Sequence, residues 1–71
     1  MTYLPHQQRV VDEKRELDVK LNALRMFIFH NEVFNTLPAE DQQLLRDQRM
    51  LMSSYSHILC MRIDRFNSPS T

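Results

Sequence analysis

Glycine is absent from this chain of 71 residues, and cysteine occurs once. A sheet of any complexity needs glycine at its tight turns, while Leu, Arg, Met, Gln and Glu, all good helix formers, are prominent here. The expected fold class is therefore all-α. The lone Cys60 excludes an intrachain disulfide. His6, His30 and His57 lie far apart, with no second cysteine and no paired spacing that would read as a zinc site. Charge of one sign is also missing: nine Lys and Arg balance nine Asp and Glu, so the long-range field that draws nonspecific DNA or anionic-membrane binders to their targets is absent. The longest near-apolar stretch, Met26 to Phe29, is too short to span a bilayer or to form the core of a signal peptide. Neither polymeric nucleic acid nor membrane is expected as a partner, and the cytoplasm is the expected compartment, with Cys60 reduced.

A chain of this length makes one domain, whose single core supplies only a few kcal/mol. Small domains compensate with disulfides, a structural metal or association with other chains. The first two lack residues, which leaves association.

Pro5 suits a first helical position, with Thr2 as a candidate cap. From there Val10, Leu17, Leu21, Leu24 and Ile28 recur at helical spacing, and Lys14 fills the one polar gap in the stripe. Glu16 and Lys20 form an i,i+4 pair in the favourable orientation. The run from Asn35 to Asp41 reads as one helix ending and another starting: Asn35 tolerates a left-handed cap, Pro38 opens the next helix, and Glu40 and Asp41 face its N-terminal dipole. In the second helix Leu45, Met52, Leu59 and Phe66 form one heptad column, and Leu44, Leu51 and Ile58 the adjacent one. The sequence predicts a helix over about 5–34, a turn at 35–37 as the only break, a helix over about 38–66 and a frayed tail at 67–71.

Two long helices joined by so short a turn lie antiparallel. Positions whose numbers sum to about 75 then face each other, which sets Lys20 near Tyr55, and His6 and Arg9 near Arg62, Arg65 and Phe66. The open end is basic and aromatic. Leu44, Leu45, Leu51, Met52, Ile58, Leu59 and Ile63, with Phe27 and Phe29, make more apolar surface than one partner helix can cover, and such surface drives association. The expectation is an antiparallel two-helix hairpin with a short N-terminal extension, assembled into a helical homo-oligomer.

Catalysis has little support, because a nucleophile needs an orienting group and a rigid pocket that a bare hairpin does not offer. No catalytic residue, metal ligand or cofactor is assigned. Cys60 reads as a small buried hydrophobe. Asp12, Glu13, Glu16 and Asp18, interleaved with Lys14, Arg15 and Lys20, read as a solvated face rather than a cation site. His30 and His57 read as helix-edge residues, and Met26, Met50, Met52 and Met61 as adaptable packing. Tyr55 lies in an apolar stripe, where its ring is buried and its hydroxyl needs a partner. The cluster His6, Arg9, Lys20, Arg62 and Arg65 combines guanidinium forks, an ammonium and a ring, which is equipment for gripping phosphates and stacking on bases. On composition alone a solvated helix end is the simpler reading of it.

The pattern Pro5-His6-Gln7-Gln8-Arg9-Val10-Val11-Asp12-Glu13-Lys14, followed by Glu16-Leu17-Asp18, Lys20-Leu21, Leu24 and Phe27-Ile28, resembles the start of the phage anti-CBASS type-two sponge proteins. Phe34, Leu37-Pro38, Leu44-Leu45, Gln48, Met52, Tyr55-Ser56, Ile58-Leu59, Arg62-Ile63 and Phe66 resemble the same hairpin domain, so the likeness covers nearly the whole chain. Its specificity lies in the ordered set and in no single motif. The resemblance implies a helical hexamer in the host cytoplasm that sequesters cyclic dinucleotides without cleaving them, and in some members cyclic trinucleotides at separate pockets between subunits.

The resemblance also implies site residues. Lys20, in Leu17-Asp18-Val19-Lys20-Leu21, is similar to the family lysine that meets the phosphates. An N-terminal aromatic stacks on the base in the family; this chain offers His6, where the family favours tyrosine, with Tyr3 slightly earlier as the other candidate. Arg9 and Tyr55 complete the expected dinucleotide set. Arg62 resembles the arginine of the cyclic trinucleotide pockets, with Arg65 beside it. The alternative is a non-enzymatic oligomerisation or adaptor hairpin, from which ligand titration separates the sponge.

Overall fold

The computed structural model describes residues 2–67, and they form three helices: α1 over Pro5–His30, α2 over Val33–Thr36 and α3 over Ala39–Asn67. α1 and α3 pack as an antiparallel hairpin, with α2 in the connection. The part of the expected tail at 68–71 lies outside the described residues, whereas Asn67 is the last residue of α3.

Pro5 opens α1 after an extended Leu4, its fixed φ already suited to the first helical turn. The side chain of Gln7 reaches back, and its Oε1 accepts the Leu4 N–H at 2.9 Å. The cap is thus Leu4 with Gln7, and Thr2 lies ahead of it.

α1 stops at His30, short of the expected Phe34. Asn31 is extended (φ −115°, ψ 121°), and its side-chain Oδ1 accepts the Val33 N–H at 2.9 Å. This local bond competes with helix continuation and starts α2 on a new axis. α2 ends at Leu37 (φ −73°, ψ 151°), the extended geometry that the following proline imposes. The connection therefore has two breaks where one was expected. Asn35 is helical within α2, and no described residue has a positive φ. Two extended residues flanking one helical turn reverse the chain without glycine. Gln42 closes the turn by donating from Nε2 to the Leu37 carbonyl at 2.9 Å, and the Pro38 carbonyl accepts the Gln42 N–H at 3.0 Å. Glu40 and Asp41 stand in the first turn of α3, where the helix dipole favours negative charge.

The core takes Val10, Leu21 and Ile28 from α1, Phe34 from α2 and Leu59 from α3. Leu17 and Leu24 are half-buried, so the expected stripe of α1 is the packed face. On α3 the column Leu45, Met52, Leu59 and Phe66 turns towards α1, while Leu44, Leu51 and Ile58 stay 61, 66 and 49% exposed. Phe34 is covered on one side by the edge-on ring of Phe27 at 6.0 Å and by the Arg46 guanidinium at 5.2 Å from its centroid.

Lys14, the polar gap in the stripe, crosses the hairpin. Its ammonium donates to Asp18 Oδ2 at 2.6 Å and to Ser56 Oγ at 3.2 Å, and the Ser56 hydroxyl donates to Asp18 Oδ1. Asp18 is accordingly not part of a solvated acidic face. The expected Glu16–Lys20 pair does not form; among the described residues the ion pairs are Lys14–Asp18 and Arg15–Asp12. Glu16 and Lys20 are both exposed, where holding two long side chains together gains little over hydration.

The molecule is long for its mass. It measures 51 × 19 × 16 Å with a radius of gyration of 15.9 Å, against about 11 Å for a compact chain of this length. Its accessible surface is 5618 Å², against about 4,700 Å² expected for a compact monomer of this mass. Apolar surface is left open on the molecule, because Leu44, Leu51 and Ile58 on α3 stay exposed. Cys60 is exposed, as are Met26, Met50 and Met61, where burial or packing was expected. Tyr55 keeps 44% of its surface exposed rather than burying its ring.

Candidate ligand-binding site

α1 carries His6, Arg9 and Lys20, and all three are exposed. His6 and Lys20 are separated by about 21 Å along the axis at 1.5 Å per residue, and they fall on nearly the same side of the helix. A ligand of dinucleotide size cannot span both on one chain. Arg62 and Arg65 lie one turn apart on the last stretch of α3, also exposed, as i,i+3 neighbours on one face. Tyr3 fixes this open end: its hydroxyl accepts a hydrogen bond from Asn67 Nδ2 at 3.3 Å. That contact ties the start of α1 to the end of α3, so His6, Arg9, Arg62 and Arg65 share one end of the hairpin. Lys20 and Tyr55 belong to its middle. Ser56, next to Tyr55, is buried against Lys14 and Asp18, while Lys20 and Tyr55 face solvent.

The electrostatics separate two kinds of cation. Lys14 is committed to Asp18 and Ser56, and its hydrogen bond, followed by that of Ser56, holds the Asp18 carboxyl below the usual aspartate range. Arg9, Lys20, Arg62 and Arg65 join no ion pair among the described residues. Charges of that kind are free to meet a ligand phosphate.

Sequence reasoning missed three features. The Lys14–Asp18–Ser56 bridge was signalled by a lysine inside an apolar stripe. The stacking of Arg46 on Phe34 and of Arg49 on Phe29, at 5.2 and 5.5 Å, left no sequence signal, because the pairs come from different helices. A shallow groove on α3 is lined by Arg49, Met50, Ser53, Ser54, His57 and Ile58, none of which was singled out as ligand-binding, although Tyr55 adjoins Ser54. No group of three His, Cys, Asp or Glu side chains with metal-site geometry occurs among the described residues, nor is any described helix long and apolar enough to cross a membrane.

Fold and side chains together define a small all-α hairpin protein with unpaired cations at its open end and along its first helix. The model of the Sequestin family matches residues 4–65. The chain is also 40% identical, over 63 residues, to an uncharacterized 7.5 kDa protein from the denB-rIIB intergenic region of Enterobacteria phage T4, an alignment covering 89% of this chain and 97% of that one. The chain belongs to the Sequestin family, a family of phage anti-CBASS cyclic-nucleotide sponges. No solved structure matches it significantly.

Proposed function

We propose that this protein binds and sequesters the cyclic dinucleotides of CBASS signalling in the host cytoplasm, without cleaving them, and that cyclic trinucleotides occupy a second pocket type at Arg62 and Arg65. The observation that carries this reading is the family match across residues 4–65. The geometry agrees with it through the unpaired cations Arg9, Lys20, Arg62 and Arg65. Since His6 and Lys20 are about 21 Å apart on one chain, a pocket using both draws them from different subunits. A cyclic dinucleotide, with two phosphates and two bases in near two-fold symmetry, fits a symmetric interface that offers one lysine and one ring from each side. A neutral protein can hold such a dianion because local charge and exclusion of water decide affinity in a small pocket. Assembly into a hexamer, as the family resemblance implies, would cover Leu44 and Leu51.

The exposed column on α3 also favours a second reading, an oligomerisation or adaptor hairpin that binds no nucleotide. Isothermal titration with cyclic GMP-AMP, followed by chromatography of the released ligand, separates the two. The sponge gives saturable binding and intact ligand; the adaptor gives no heat of binding.

A further inference from the structure

Arg49 projects from the middle of α3 with its guanidinium 5.5 Å from the centroid of the Phe29 ring. Its Nε is enclosed by protein atoms and meets no acceptor, and Arg49 forms no ion pair among the described residues. Stacking on an aromatic face holds the guanidinium plane while leaving its in-plane donors unfilled. The terminal N–H donors of Arg49, which are not enclosed as Nε is, also meet no acceptor among the described residues, and these are the donors that a group supplying lone pairs can reach.

The surroundings specify that group. Ser53 and His57 follow Arg49 at successive i+4 steps and line the same groove with Ser54, Met50 and Ile58, a space of about 490 Å³. Four of these six residues carry hydrogen-bond donors and none is acidic. A guanidinium fork, hydroxyls and an imidazole together suit an oxyanion with several oxygens, a phosphoryl group rather than a single carboxylate. Met50 and Ile58, both exposed, add an apolar wall for the organic part of the ligand. We infer that Arg49, Ser53 and His57 form a phosphoryl-binding subsite that takes a nucleoside phosphate against Met50 and Ile58. Arg49 lies about 20 Å along α3 from Arg62, whereas Ile58 at the other end of the groove is about one turn from it, so the phosphoryl end of this subsite is apart from the basic open end, and Lys20 is not part of its lining.

The Arg Nε–H resonances of the ¹⁵N-labelled full chain test it, with Arg49→Lys identifying the Arg49 signal. Inorganic phosphate and adenosine 5′-monophosphate are titrated separately. The expected result is a saturable shift of the Arg49 signal, with the nucleotide binding more tightly than phosphate. Ser53→Ala and His57→Ala, which leave the Phe29 stack in place, should each weaken binding by roughly tenfold to a hundredfold. Equal affinity for both probes overturns the apolar wall. An Arg49 signal that does not move overturns the subsite, as does binding unchanged in Ser53→Ala and His57→Ala. So does an Arg49 signal that moves only with protein concentration, which assigns its partner to a second copy of the chain. Lys20→Ala should leave the Arg49 titration intact, which keeps this outcome distinct from that of the cyclic dinucleotide reading.

Discussion

Replacing Asp18 with alanine tests the polar bridge that joins the two long helices. It removes the acceptor of both the Lys14 ammonium and the Ser56 hydroxyl. Hydrogen bonds to charged groups are worth about 1.5–3 kcal/mol, and an unsatisfied buried hydroxyl costs about 1–3 kcal/mol. The Asp18 side chain is 42% exposed, so water screens the ion pair and its share falls to about 0–1 kcal/mol. Ser56 is buried, and its lost partner dominates. The expected net loss is about 1–3 kcal/mol, which lowers Tm by about 4–24 °C in a domain of this size. The bridge also carries a pH signature. Lys14 and Ser56 hold the folded-state carboxyl below its ordinary value of 3.8, so its stabilisation is fully present above that value and is lost as pH falls through the lower folded-state value. Thermal unfolding followed by circular dichroism at matched protein concentration, at pH 7 and in steps below pH 4, reads both effects. A Tm for Asp18→Ala equal to that of the parent at pH 7 refutes the reasoning, and so does a difference that fails to shrink in acid.

Leu51 lies in the exposed column of α3, where an apolar-to-charged change costs the hairpin little. Leu51→Glu should dissociate the oligomer while keeping the helical circular dichroism signal, and light scattering at micromolar concentration reads the mass. A parent protein that is already monomeric there, or a variant with unaltered mass, counts against this interface. Arg62→Ala should weaken cyclic trinucleotide binding by roughly tenfold to a hundredfold through the loss of a charge-assisted contact, while sparing cyclic dinucleotides. Equal loss of both ligands in calorimetry contradicts separate pockets.

The helices were legible because one physical signal dominates each: apolar spacing placed the buried stripe Val10, Leu21 and Ile28 on α1 and two adjacent heptad columns on α3, of which the structure packs the one through Leu59. That the two columns together exceed what one neighbour can cover was legible for the same reason, but which of them stays open was not. The connection was not. The side-chain bond of Asn31 to the Val33 N–H ends α1 early, and nothing in the local spacing distinguishes Asn31 from Asn35 as the residue that breaks the helix. Cys60 and Tyr55 were misplaced because helical phase alone does not say how wide the buried arc is, and both fall just outside it. At the candidate site, residue types and their shared end could be read, with Tyr3 and Asn67 closing that end. How the proposed assembly would combine those residues could not, because helical spacing within one chain does not describe contacts between chains.

If cations left unpaired within the hairpin hold cyclic dinucleotides, as proposed, Lys20 is the one whose removal should matter most. Lys20→Ala should keep fold and oligomeric state, since alanine has the higher helix propensity and Lys20 forms no ion pair among the described residues. Each lysine–phosphate contact is worth roughly 1.5–3 kcal/mol. If two symmetry-related lysines serve one ligand, the loss reaches roughly a thousandfold or more in affinity. The measurement is isothermal titration of parent and Lys20→Ala with cyclic GMP-AMP, beside circular dichroism and light scattering of both. Saturable binding by the parent and a collapse of affinity in the variant are expected; equal affinity in two proteins of unchanged fold and mass would rule out Lys20 as a phosphate contact.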